Sequence, residues 1–416
     1  MDKHHTGILS NYFSPPIPTG QTHGITYFGD MKIVKIEAHW LSCPIPPAKQ
    51  HRSDYGLLTD FDMTLVVVTL EDGRQGFGEG KAAVGSSGAC SSIVTCVERE
   101  IAPAIVGLDA RNINEIWERM YNGTRDHYAL ARGRVFPILG NRGIHVAAMS
   151  GVDMALWDLL GKDLNVPVVQ LLGGAMRPDM EAYASGGWEN AERIGAQLRG
   201  YCDKGFRAVK MRVGVMDETV ANSIARVRAA REALGPDIKI MADAHGTYSV
   251  SEAKRFCRGV EDSNLYWFEE PITPDNKAGT AEVRATTATP IAAGESEFTR
   301  FNVRELVDHR AVDVIQPDCA IVGGITEARR IAALAETYQL ELAPHCWGSA
   351  FSFMAGVAVA FSSSAAAIIE FSAGGNPMMY DLVNEEITAT EGRMAAPTAP
   401  GLGVTPNWDF VREYRQ

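Results

Sequence analysis

Three acidic residues recur at a fixed interval, Asp243, Glu269 and Glu295, each 26 residues from the next and each at the end of a short apolar run (IKIMAD, YWFEE, PIAAGE). Carboxylates at the ends of successive strands place their oxygens around one side of a mouth, the donor set of a hard divalent cation that keeps positions open for substrate and water. Magnesium fits that description. Taken singly, an acid at a strand end reads equally well as the cap of the following helix; three in register do not. The next two runs end on Asp318 and His345, 27 residues apart. A carboxylate bonded to one imidazole nitrogen fixes the tautomer and leaves the other nitrogen to take a proton. Lys210 and Arg212 alternate within RAVKMRV and so share a face, where two cations can offset the charge of a substrate carboxylate; the alternative is a pair of solvated surface charges. Glu370 follows AII and precedes Phe371. That apolar setting is expected to raise its pKa, so that a protonated carboxyl donates a hydrogen bond to a developing oxyanion.

These residues close eight runs, 180–185, 207–213, 238–243, 266–270, 290–295, 312–318, 340–345 and 367–371, with a helical pattern between successive runs. Continuous apolar runs are the mark of parallel strands buried on both faces, and their spacing predicts an α/β chain built on a (β/α) barrel. A doubly wound open sheet is the alternative, but no G-x-G-x-x-G or G-x-x-x-x-G-K-[ST] follows any run. Upstream, MKIVKIEAHWL and the two halves of MTLVVVTLEDGRQGFGEG read as antiparallel strands joined by an Asp-Gly turn. Helical patterns over 92–106 and 112–121 follow. A small α+β domain over 31–155 is expected to cap the barrel, preceded by a Pro-rich extension over 1–30 without periodicity.

The chain has 416 residues, 46% of them hydrophobic, and 51 acidic against 39 basic side chains give a net charge of −12. Such a balance, without basic runs, offers no footprint for nucleic acid or an anionic membrane. The apolar stretch 357–371 is interrupted by Ser362, Ser363 and Ser364 and is too short to span a bilayer. Residues 1–10 lack the apolar segment of a signal peptide. A soluble, cytoplasmic protein is expected. The seven cysteines are scattered and never spaced as C-x-x-C, which argues for reduced, mostly buried thiols rather than a disulfide framework or a zinc cage.

Together the ordered motifs resemble the enolase superfamily, in its mandelate racemase-like branch. They are SGVDMALWDLLGK (150–162), VVQLLGG (168–174), Lys-x-Arg (210–212), Asp243 in ADAHG, FEEP (268–271), AAGES (292–296), IQPD, GGITEA, His345 in APHCWG, Glu370 and PGLG (400–403). The resemblance spans nearly all of 31–409. It implies a modified (β/α)7β TIM-like barrel over 156–385, an N-terminal capping domain, and a C-terminal segment (386–416) returning to the cap. It further implies Asp243, Glu269 and Glu295 as magnesium ligands with Glu270 a neighbouring non-ligand, an Asp318–His345 dyad as general acid and base, and Glu370 as hydrogen-bond donor. A homo-oligomer, dimer or octamer, is expected on the same ground.

Two departures from the family pattern shape the expected chemistry. Arg212 stands where the branch commonly has a second lysine base, and arginine stays protonated. A two-base racemase is thereby weakened, and His345 is left to abstract a proton and then protonate a leaving hydroxyl. His245 replaces a more usual Asn and is expected on the same strand face as Asp243, bonding the metal shell, contacting substrate or acting as a second acid. The resemblance therefore implies dehydration of a mono- or diacid sugar to a 2-keto-3-deoxy acid, a small-molecule carboxylate substrate. The alternatives are a racemase, epimerase or cycloisomerase working through the same enolate, and a non-catalytic binding protein on the same fold. Lys49, His51, Arg52 and Tyr55, in the cap loop, are the candidates for reading the distal end of the substrate.

Overall fold

The glycines of GFGEGK set the geometry of the cap. In the computed structural model, which describes residues 31–47, 50–53, 56–81, 90–123 and 140–416, strand β1 (Ile33–Pro44) pairs antiparallel with β4 (Asp60–Leu70), and β4 with β5 (Gln75–Gly80). Two short strands, β2 (His51–Ser53) and β3 (Gly56–Leu58), form a hairpin in the stretch read from sequence as loop. Helix α1 (Cys90–Cys96), continued through a π turn over Val97–Ile101, packs beside the sheet, and α2 (Ile113–Asn122) packs against the long α3 (Ile144–Leu164), which lies across the sheet. A Cβ on Gly76, Gly78 or Gly80 would come within 2.1, 2.2 and 2.8 Å of the carbonyl oxygens of Ala155, Gly151 and Ala147. Only glycine at alternate positions lets β5 approach α3 so closely. The intervening side chains, Phe77, Glu79 and then Lys81, consequently project to the other face, toward the barrel.

The eight predicted runs form β6 (Asp179–Gly187), β7 (Ala208–Arg212), β8 (Lys239–Asp243), β9 (Trp267–Glu269), β10 (Ile291–Ala293), β11 (Val314–Ile315), β12 (Glu341–Leu342) and β13 (Ile368–Ser372). They are parallel in the order β12-β11-β10-β9-β8-β7-β6-β13. A parallel bridge between Leu342 and Ala366 joins the two ends. The connecting helices are α4 (Ile194–Cys202), α5 (Val220–Leu234), α6 (Val250–Gly259), α7 (Lys277–Arg284), α8 (Thr299–Asp308), α9 (Gly324–Tyr338) and α10 (Ala350–Ser362). Strand β14 (Arg393–Ala395) adds antiparallel to β6, and α11 (Trp408–Tyr414) returns to β1, where Gln416 N–H donates to Trp40 O at 2.9 Å. Residues Met31–Gln416 form one compact unit.

Helix α3 is buried along most of its length between the cap sheet and α9. Its acidic residues act structurally. Asp153 accepts from Thr326 N (2.9 Å) and Oγ1 (2.5 Å), and Asp158 from Phe77 N (3.0 Å), Leu402 N (2.8 Å) and Lys162 Nζ (2.6 Å). Buried carboxylates persist when donors surround them, and these tie the cap, the barrel and the PGLG segment to one helix. All seven cysteines are free thiols, Cys202 half-buried and the others buried. No helix among the described residues is long and apolar enough to cross a membrane.

Candidate active site

One side chain from each barrel strand or its immediate end, Tyr183, Ala208, Met241, Trp267, Ala292, Val314, Ala343 and Ile368, fills a ring inside the barrel. Since side chains alternate, the residue two further along each strand faces the same interior one layer higher. Those residues are Ser185, Lys210, Asp243, Glu269, Gly294, Gln316, His345 and Glu370. The barrel thus brings together most of the residues singled out from sequence, at the end of the strands where βα loops begin. Asp318 lies one further step along from Gln316, and Glu295 follows Gly294 just beyond β10.

The dyad is formed: His345 Nδ1 lies 2.8 Å from Asp318 Oδ2. Asp318 Oδ1 accepts from Ala320 N (2.7 Å) and Ser352 Oγ (3.3 Å), and Lys81 Nζ, from the end of β5, sits 2.9 Å from Oδ2. Burial opposes the Asp318 charge, but Lys81 and then His345 outweigh it and hold the carboxyl at about 2. The other imidazole nitrogen, Nε2, faces Glu295 Oε2 at 3.8 Å and Glu370 Oε2 at 3.9 Å.

Lys210 is buried and paired with carboxylates, its Nζ 2.5 Å from Glu269 Oε1, 2.9 Å from Glu370 Oε1 and 3.6 Å from Asp243 Oδ2. Burial alone would lower its pKa; Glu269 and Glu370 raise it well above the usual lysine value. The reciprocal effect corrects the expectation for Glu370. Burial in its apolar setting favours the neutral acid as anticipated, yet Lys210, His345 and the Cys346 N–H (2.8 Å to Oε2) hold the carboxyl at about 2. It is an ionised acceptor, and the donor at this position is Lys210. Arg212 Nη1 lies 3.2 Å from Asp243 Oδ1, with its guanidinium 5.5 Å from the Trp188 ring, which in turn meets Trp347 edge-on at 6.2 Å.

The carboxylate side is organised differently. Glu269 Oε2 accepts from Trp267 Nε1 at 2.9 Å, so both its oxygens are engaged. Among the described residues neither oxygen of Glu295 has a hydrogen-bond partner, nor does Glu270 Oε1, although both residues are buried. Burial, followed by the charges of Glu270, Asp243 and Glu269, pushes the Glu295 carboxyl well above the carboxylate range, and burial with Asp243 and Glu269 pushes Glu270 up to about 8. Asp243 shifts the other way, since Arg212 and Lys210 override its burial. Anionic oxygens crowded in a dry site without donors are stabilised by a cation, and an all-oxygen set suits a hard one. The donor atoms of His245, Glu270 and Glu295 lie within 4.8 Å of one another. His245 departs from its expected place: β8 ends at Asp243, and His245 follows in a left-handed turn (φ 46°), donating its N–H to Asp243 Oδ1 at 2.9 Å, with Nε2 3.8 Å from Glu295 Oε1. Glu270 is left-handed as well (φ 36°). Such backbone at a strand end is sustained only where the surroundings over-determine it.

Of the cap-loop candidates, His51 and Arg52 lie on β2, and Lys49 and Tyr55 lie outside the described residues. Sequence reading did not single out Lys81, Trp188, Trp347 or Gln316. Gln316 is fully buried, with neither amide atom hydrogen-bonded among the described residues, and its place in IQPD, two residues before Asp318, was the available signal. For Lys81 the signal was parity, as the third barrel-facing position alternating with the glycines.

Residues 193–410 match the model for enolase C-terminal domain-like sequences, and residues 48–173 that for the mandelate racemase / muconate lactonizing enzyme N-terminal domain. The chain is 31% identical to a D-galactarolactone cycloisomerase of Agrobacterium fabrum, over 92% of this chain and 99% of that protein. It is likewise 31% identical to an arabinonate dehydratase of Saccharolobus solfataricus, over 86% and 92%. Among solved structures, a racemase of Streptomyces coelicolor with bound magnesium superposes with a TM-score of 0.80 at 28% identity, over 92% of this chain and 100% of that one. Two family models that between them take in cap and barrel, and relatives aligned over almost their whole length, lead to one conclusion: the chain belongs to the mandelate racemase / muconate lactonizing enzyme family of the enolase superfamily.

Proposed function

We propose that the protein abstracts the proton α to a carboxylate in a magnesium-dependent reaction, and that its main activity is loss of water from an acid sugar, mono- or diacid, giving a 2-keto-3-deoxy acid. The observation that carries this reading is the imidazole of His345, held by Asp318 through Nδ1 while Nε2 faces the carboxylate cluster. Asp243, Glu269 and Glu295, with Glu270 beside them, would hold a magnesium ion, which supplies positive charge against the negative charge building on the substrate carboxylate. Lys210 donates toward the same carboxylate from its seat between Glu269 and Glu370. His345 Nε2 takes the C2 proton as general base; the imidazolium then returns a proton to the departing C3 hydroxyl. The C2–H electron pair becomes the C2–C3 double bond as water leaves, and the resulting enol tautomerises to the ketone. Arg212 stays protonated and clamps an anion or hydroxyl rather than acting as a second base. His245, Arg52, Lys49, His51 and Tyr55 are assigned to contacts with substrate. The same reading divides the chain into an extension (1–30), a cap (31–155), a catalytic barrel (156–385) and a segment returning to the cap (386–416).

A second reading is favoured by the likeness to the galactarolactone cycloisomerase over nearly its full length. It uses the same proton abstraction on a lactone ring. A panel of mono- and diacid sugars and their lactones, incubated with the magnesium-loaded protein and developed with semicarbazide, tests both. Formation of 2-keto acids from open-chain sugars supports dehydration; reaction confined to lactones supports the second reading. Silence on the whole panel, with no α-proton exchange in D2O, would leave a binding protein and overturn both.

A further inference from the structure

The cap meets the barrel at the two loops that carry the dyad. Lys81 N–H donates to Ala320 O (3.0 Å), two residues past Asp318. Its ammonium reaches Trp347 O (2.5 Å), two residues past His345, and lies 2.9 Å from Asp318 Oδ2, the same oxygen that accepts from His345 Nδ1. Two residues earlier on the same face of β5, Glu79 Oε2 accepts from Ser349 N (2.9 Å) and Oγ (2.7 Å), at the start of α10. Lys81 is 8% exposed and Asp318 fully buried, so the pair belongs to the interior of the seam rather than to a solvated surface, where an ion pair would count for little.

We infer that Lys81 is a positioning residue supplied by the cap, which holds Asp318 and the Trp347 loop so that the His345 ring stands in its working orientation. The inference rests on the function proposed above. A lysine side chain ends in a point charge with three donors; here one partner is a carbonyl and another the dyad carboxylate, so the residue braces two loops at once. The Oδ1 side of Asp318 is fixed by groups of the barrel itself, Ala320 and Ser352. The Oδ2 side, which orients the imidazole, depends on the cap. A cap undocked from the barrel would withdraw Lys81 and Glu79 together, so the base is completed only when β5 is seated. Lys81 acts through Asp318 and makes no claim on substrate.

The test is Lys81→Met in the full-length, magnesium-loaded chain. Partners that orient an active-site ligand or base typically govern about 10- to 100-fold in activity. The expected result is a loss of kcat in that range for an acid sugar identified by the panel, with KM unchanged, and recovery of much of the rate in Lys81→Arg. In a double-mutant cycle, adding Lys81→Met to Asp318→Asn should cost clearly less than Lys81→Met alone, because the two share the Oδ2 contact. A KM rise equal to the kcat loss, or full additivity with Asp318→Asn, overturns the inference. A crystal structure of Lys81→Met decides it without any substrate: displacement of the His345 ring from its place against Asp318 is expected, and a dyad unmoved at 2.8 Å refutes it. A wild-type chain silent on the panel would count against the proposed function and leave this structural outcome intact.

Discussion

Asp318 and Glu295 are both fully buried acids set against the same imidazole, one at Nδ1 and one at Nε2. Asp318 is surrounded by an ammonium, an N–H, a hydroxyl and the ring itself, and is held ionised at about 2. Glu295 has, among the described residues, no hydrogen-bond donor on either oxygen and three carboxylates around it. Among the described residues, one side of the site is thus satisfied by the protein's own donors, and the other gathers carboxylates whose charge a cation would offset. What separates the two acids is not their burial but which charges the neighbouring strands deliver to them.

The largest test of that contrast is His345→Asn, which removes the group both acids flank. Turnover and α-proton exchange in D2O should fall roughly 100- to 10,000-fold, the range of a general acid–base catalyst. Exchange retained at the wild-type rate would transfer the base to Lys210 or His245. Glu295→Gln should raise the magnesium concentration for half-maximal activity about 10- to 100-fold, whereas the corresponding change at Asp318 should leave the magnesium titration in place and reduce kcat. A titration unmoved by Glu295→Gln removes that residue from the ligand set.

A smaller effect separates the two sides of the site by pH, read at Glu270 beside Glu295 and at Asp318. Glu270 is raised from 4.5 to about 8, so the folded chain binds a proton more tightly than the unfolded one. The stability this provides is complete below pH 4.5 and disappears as pH rises through about 8. Asp318, lowered from 3.8 to about 2, stabilises above 3.8 and loses that contribution as pH falls through about 2. Metal-free protein should accordingly melt at lower temperature at pH 9 than at pH 5, and saturating magnesium should flatten the difference. A melting curve indifferent to magnesium at both pH values contradicts the cation reading. The smallest effect is at the seam: Ser349→Ala removes a donor to Glu79 and the cap of α10, whose side chain accepts from Phe351 N. It should cost about 1–2 kcal/mol of stability, read as a lower melting temperature with kcat retained.

The barrel was legible because parallel strands buried on both faces leave apolar runs that end in the residues of the mouth, and because one βα unit sets the even spacing of Asp243, Glu269 and Glu295. The dyad was legible for the same reason. Glu370 was misjudged because its chain neighbours, Ile369 and Phe371, are apolar while the charge that decides its ionisation comes from Lys210 on another strand. Lys81 escaped because its partner carbonyl is 266 residues away; parity with the alternating glycines gives its face but not what it meets there. The π turn after α1 and the β2–β3 hairpin carry no periodicity of their own.

The alternating glycines of β5 give that strand a reading frame of two. A single residue gained or lost before Gly76 would turn Phe77, Glu79 and Lys81 into the backbone of α3 and present glycines to the barrel, since a one-residue slip exchanges the faces of a strand. A change of two residues would preserve the frame and move each contact one step along. Caps transplanted between members of this family onto this barrel should therefore tolerate differences of even length at this strand and fail at odd ones.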